Sequence, residues 1–209
     1  MNQLYKKIIA IAASGLLVFS VYFGSFLPLR KSQAFINTMR NLNNSPSLDE
    51  FKKAISVPLD LPSPIGQEEL VRQAASVVMN VINQPNANSS VVDDLLSYVS
   101  RYYEPIISNG TGMSFGQNLY ILGSMNEIAF VKTNQPKYLE AAKKYYLKSF
   151  ELGPKRPQPL FGLFDIYRME GNVEQVKAIA GQILSQWPNE DRTRKALSEF
   201  LDRGLTKKK

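Results

Sequence analysis

The sequence predicts an all-α chain: one N-terminal transmembrane helix followed by an α-solenoid of helical hairpins. Three observations carry this reading. Residues 8–27 run without a charge. Apolar residues elsewhere recur at helical spacing, with no alternating strand pattern. Two prolines, Pro154 and Pro188, stand 34 residues apart with their surroundings in register.

The chain has 209 residues, 44% of them hydrophobic. That suffices for one anchor and one domain with a core, and is short for two large domains. Cysteine and histidine are both absent. Their absence excludes disulfides, thiolate and imidazole metal sites, and the Ser-His-Asp and Cys-His catalytic constellations. No cofactor or metal is expected, and the chain is not expected to be an enzyme by itself. The net charge of +7 could suggest nucleic acid. The excess, however, gathers at Lys6, Lys7, Arg30 and Lys31, and in the tail Lys207, Lys208 and Lys209. It is not interleaved with aromatics as a nucleic-acid surface would be. Contact with anionic lipid or plain solubility is the expected use, and no nucleic-acid partner is expected.

The elements follow in order. Residues 1–31 read as a membrane anchor with basic flanks. An apolar run of about twenty residues just crosses a hydrocarbon core of about 30 Å. Tyr5 and Tyr22 lie toward its ends, where amphipathic rings prefer the interface. No small-x-small cleavage site follows, so an uncleaved anchor is expected in place of a signal peptide. Residues 32–113 read as a helical linker and repeat-like hairpins. Residues 32–40 form a short amphipathic stretch, and a polar break follows at 41–46. Ser47 and Glu50 make a capping box opening a helix to about Ile55. The proline-rich segment 57–66 is expected to end that helix. After Gly66, a helix should carry Leu70, Ala74, Val77, Val78 and Val81 on its core face, with Glu68 and Glu69 in its first turn. Ser90 with Asp93 is expected to cap the next helix, to about Ile107.

Residues 114–209 hold the repeat. Helices are predicted over 115–133, 136–152, 157–170, 173–186 and 189–204, the last as a cap with Leu197, Phe200 and Leu201 inward. The proline spacing equals the period of a tetratricopeptide unit. In the same register Ala142 pairs with Val176, Tyr146 with Ala180, Ser149 with Ile183, and Phe150 with Leu184. Leu160, Leu163, Tyr167 and Gly171 fit the first helix and turn of such a unit. Leu119, Leu122 and Gly123 resemble a second first helix. The distance from Gly123 to Ala142 exceeds that of the unit by about seven residues, expected as an insertion around 131–137.

Three stretches carry a family resemblance. They are Asp49-Glu50-Phe51-Lys52-Lys53-Ala54-Ile55, then Pro64-Ile65-Gly66-Gln67-Glu68-Glu69-Leu70-Val71-Arg72-Gln73, and the repeat entry at 154–172. With the span before them, they resemble the C-terminal portion of bacterial O-antigen ligase/polymerase-like membrane proteins that end in a tetratricopeptide tail. The resemblance implies a single-pass protein of the bacterial cytoplasmic membrane, with its repeats outside the cytoplasm and a role accessory to cell-surface polysaccharide assembly. The polytopic catalytic region of those proteins has no counterpart here, so no catalytic residue carries over. One alternative is the non-catalytic part of a split ligase or glycosyltransferase. Another is an envelope secretion or quality-control adaptor.

A repeat array binds partners in the groove lined by its first helices. The expected groove residues are Gln117, Tyr120, Ser124 and Glu127 on one helix, and Gln158, Phe161, Asp165 and Arg168 on another. Aromatic anchors with polar rims suit a protein or peptide partner. Phe161 is expected to be exposed. Tyr102, Tyr103, Tyr145 and Tyr146 are read as core or interface aromatics. Asn88-Ser89-Ser90 and Asn109-Gly110-Thr111 match the glycosylation pattern and imply exposed loops.

Overall fold

A computed structural model describes residues 3–42 and 47–206, with side chains as far as 202. Every regular element among them is helical. The elements are α1 (Gln3–Val21), a π-helical turn (Tyr22–Phe26), α2 (Leu27–Asn41), α3 (Leu48–Asp60) and α4 (Gln67–Ile82). After these come α5 (Ser89–Asn109), α6 (Phe115–Thr133), α7 (Pro136–Leu152), α8 (Pro157–Met169), α9 (Val173–Gln186) and α10 (Asp191–Thr206). Two compact units divide the chain, Met1–Ala74 and Ala75–Lys209. The expected polar break falls largely on 43–46, and the lysine tail on 207–209; both lie outside the described residues.

In the first unit, α1, the π turn and α2 form one continuous helix, long and apolar enough to cross a membrane. The stretch 32–40 is amphipathic, and it continues the helix of the apolar run without a break. Its inner stripe is Leu27, Lys31, Ala34, Phe35, Thr38 and Leu42, a helical spacing that α3 covers. Ser47 caps α3 as expected, its hydroxyl accepting from the Glu50 amide at 3.2 Å.

The expectation that 57–66 ends the helix at about Ile55 is corrected: α3 runs through Pro58 to Asp60. A proline inside a helix lacks the N–H that would reach the carbonyl four residues back, here that of Ala54. Thr38 Oγ1 donates to that Ala54 carbonyl at 3.3 Å, so the freed acceptor finds its partner on α2. Burial of Phe51, Ile55, Pro58 and Leu59 on one face then outweighs the local penalty.

Lys31 is also placed differently from a lipid-facing flank. It is 3% exposed. Its ammonium donates to the carbonyls of Leu59 at 3.4 Å and Leu61 at 2.6 Å, and to Gln67 Oε1. The donors thus neutralise the open carbonyls at the end of α3, where a cation suits the negative end of the helix dipole.

The buried face of α4 is Leu70, Val71, Ala74, Ala75, Val78 and Ile82, while Val77 and Val81 are only half-buried. The stripe is rotated by about one residue from the expected one. The cap of α5 is likewise Asn88, not Ser90: Asn88 Oδ1 accepts from the Val91 amide at 3.0 Å. Asp93 instead faces α7, accepting from Tyr138 Oη and, at 3.0 Å, from Lys137 Nζ.

In the second unit α6 and α7 pack as an antiparallel hairpin, and α8 with α9 as another. The extra residues between Gly123 and Ala142 do not form a loop. They extend the two helices, leaving only Asn134 and Gln135 between them. Seven residues make about two turns, so the buried faces stay in phase. Asn134 closes α6 in the left-handed region, at φ 54°. At the second hairpin Gly171 takes φ 70° and Asn172 Oδ1 caps α9 by accepting from the Gln175 amide at 3.1 Å. Ala142, Tyr146 and Ser149 are buried, as are Val176, Ala180 and Ile183. All but Ser149, whose hydroxyl donates to the Gly116 carbonyl at 2.8 Å, join Leu160, Leu163, Ile166 and Tyr167 in the core, with Leu197 and Phe200 of α10 packed against it.

Candidate binding groove

Tyr146 organises the face shared by α6 and α8. Its ring reaches from α7 between two glycines that leave it room. A Cβ on Gly123 of α6 or on Gly162 of α8 would lie 2.5 Å from a ring carbon. Only glycine permits so close an approach from both sides. The ring is 1% exposed, yet its hydroxyl emerges among polar groups. It donates to Glu127 Oε2 at 2.6 Å, and Ser124 Oγ lies 3.1 Å from it. With the phenolic proton committed to Glu127, the serine hydroxyl is the donor to Tyr146. The Tyr120 ring lies 6.0 Å from that of Tyr146.

The electrostatics of the site follow chiefly from burial. Desolvation pushes the Glu127 carboxyl up to about 7; the Tyr146 hydrogen bond opposes this and the nearby Asp165 charge adds to it. Burial also raises the Tyr146 phenol, with the Glu127 charge reinforcing the shift. The Asp165 carboxyl is raised by burial, against the pull of Arg168, whose Nη1 lies 2.9 Å from Asp165 Oδ1. Arg168 lies over the Phe164 ring at 5.3 Å, and its Nε is buried without an acceptor.

The eight expected residues divide among two clefts and the Tyr146 hydroxyl. Gln117, Tyr120 and Gln158 meet in a cleft of about 440 Å³ with Met113, Arg156 and Pro159. Phe161, Asp165 and Arg168 line a second cleft of about 470 Å³ with Glu190, Arg192 and Thr193 of the α10 region. Ser124 and Glu127 join on Tyr146, apart from either lining. Gln117 and Gln158 are exposed and the other six half-buried.

The expectation of an exposed Phe161 is corrected. Its ring stacks on Trp187 at 6.0 Å and 23°, and it packs against the core. Position in the register assigned its direction, but not the ring that the α9–α10 connection lays over it. Three contributors were missed: Tyr146 as a polar group, Arg156 and Trp187. The paired glycines at 123 and 162 were the available signal for Tyr146, since each removes a side chain from a core-facing position. Arg156 folds across Gly116 and Gly153, where added Cβ atoms would lie 2.7 Å from its side chain. No protein-family model, curated protein or solved structure matches the chain.

Proposed function

We propose that the chain is a membrane-anchored interaction scaffold built from tetratricopeptide-type hairpins, holding a protein or peptide partner on the α6–α8 face. The observation that carries this reading is a pair of clefts that the core does not fill, one lined by Gln117 and Tyr120 of α6 with Gln158 of α8, the other by Phe161, Asp165 and Arg168 of α8. Half-buried aromatics beside polar groups that keep unmet capacity, such as Arg168 Nε, are the composition of a binding surface. The in-phase burial of Ala142 with Val176, and of Ser149 with Ile183, supports the repeat register. The anchor, residues 8–27, supports placement at a membrane. The resemblance to O-antigen ligase-like tails supports a role accessory to surface-polysaccharide assembly, by analogy alone.

Site-specific photo-crosslinking of the full chain in cells making surface polysaccharide tests this. A crosslinker at Gln117 or Gln158 is expected to trap a membrane protein of glycan assembly, and one at Lys148 on the outer face of α7 is not. Adducts at Lys148 alone, or none at the clefts, would remove the α6–α8 face from the account.

A further inference from the structure

The α3–α4 turn stands beside the end of the span. Helix α2 leaves the apolar run at Leu27, and α3 returns antiparallel to it: Thr38 meets Ala54, and Lys31 meets Leu59 and Leu61. Lys31 lies four residues past Leu27, about 6 Å along the helix axis. A headgroup layer is about 5–8 Å thick on each side of the hydrocarbon. With the apolar run taken as the anchor, the segment that Lys31 ties down, 61–66, stands at headgroup depth.

Its composition is unusual for a turn facing water. Pro62, Pro64 and Ile65 are exposed, Ile65 at 61%. Leu29 on α2 is exposed at 57%, and Arg30 beside it is exposed as well. The turn is also locally ordered: the Ser63 hydroxyl donates to the Ile65 carbonyl at 2.8 Å and accepts from its amide at 3.4 Å. Gly66 completes it at φ 87°. Two acidic neighbours are compensated, Asp60 by the adjoining Lys31 charge and Glu69 by its ion pair with Arg72.

The geometry points to a second membrane contact: the 61–66 turn rests in the headgroup layer, with Ile65 and its flanking prolines against lipid and Arg30 facing anionic headgroups. A rigid apolar turn tied beside a span gains interfacial burial without inserting a second helix. This fixes the first unit against the bilayer, where a span alone would leave it free to swing. It rests on the anchor reading of residues 8–27.

The chain lacks cysteine, so single labels are unambiguous. Full-length protein in vesicles of mixed zwitterionic and anionic lipid is labelled with an environment-sensitive fluorophore at Ile65→Cys, Phe19→Cys or Asn41→Cys. Lipids carrying nitroxides at shallow or deep positions then quench according to depth. Phe19→Cys should lose most emission to the deep quencher, Ile65→Cys to the shallow one, and Asn41→Cys to neither. An unquenched Phe19→Cys overturns the anchor, and the turn contact with it. Quenching at Phe19→Cys with none at Ile65→Cys overturns the turn contact alone. Blue-shifted emission at Ile65→Cys that no lipid quencher touches places protein on the turn and likewise overturns the assignment.

Discussion

The Tyr146 hydroxyl donates to Glu127 at 2.6 Å through a slot walled by Gly123 and Gly162. A buried ring thereby carries a polar group from α7 to a carboxylate on α6, which couples core packing to the charge of Glu127.

Glu127 makes stability depend on pH. Its folded carboxyl titrates near 7, above the ordinary 4.5. The folded state thus holds a proton that the unfolded chain releases, and the associated stability is fully present below about pH 4.5 and lost as pH rises through about 7. Glu127→Gln keeps a neutral side chain. It should be more stable than the parent at pH 8 by ~1–3 kcal/mol, after allowance for partial exposure, and near parity at pH 4.5. Melting curves of both proteins across that range test it. A constant difference at all pH values contradicts the assignment.

Gly162→Ala should destabilise by ~1–3 kcal/mol, because the new methyl meets a ring that Gly123 already confines from the opposite side. Shrinking the ring tests the mechanism: the Gly162→Ala penalty should be smaller in a Tyr146→Leu background. Equal penalties in the two backgrounds would mean the strain lies elsewhere.

Helix existence was legible over most of the chain because breakers bracket each periodic run. Asn134, Gly171 and Asn172 stop or start helices as turn chemistry dictates. What misled were places where a tertiary partner overrides a local rule. Pro58 reads as a terminator unless Thr38 is known to serve the Ala54 carbonyl. Lys31 reads as a lipid-facing charge unless the carbonyls of Leu59 and Leu61 are known to reach it. In the candidate groove, spacing assigns each residue a face of its helix. It could not show that Trp187 stacks on Phe161, or that Arg156 lines a cleft with Gln117, since both depend on contacts distant in sequence.

The α5 cap separates two serine-rich readings of the same loop. Asn88→Ala should cost about 1 kcal/mol by freeing the Val91 amide. Ser90→Ala, inside the first turn, should change stability by no more than about 0.5 kcal/mol. Denaturant midpoints for the two variants decide it, and a larger loss at Ser90 returns the cap to that residue.

The last prediction concerns how α3 tolerates Pro58. Thr38→Val removes the hydroxyl that serves the Ala54 carbonyl and keeps nearly the same volume. With Pro58 present, that carbonyl has no helical donor, so the variant should lose ~1–2 kcal/mol for an acceptor left poorly satisfied. Pro58→Ala restores an N–H four residues on, and the helix can then satisfy Ala54 itself. The Thr38→Val penalty should therefore shrink in the Pro58→Ala background, giving a coupling of at least about 0.5 kcal/mol between residues on different helices. A double-mutant cycle by chemical denaturation measures this directly. Additive penalties would show that Thr38 acts only through packing, and α3 would then need another reason to continue past its proline.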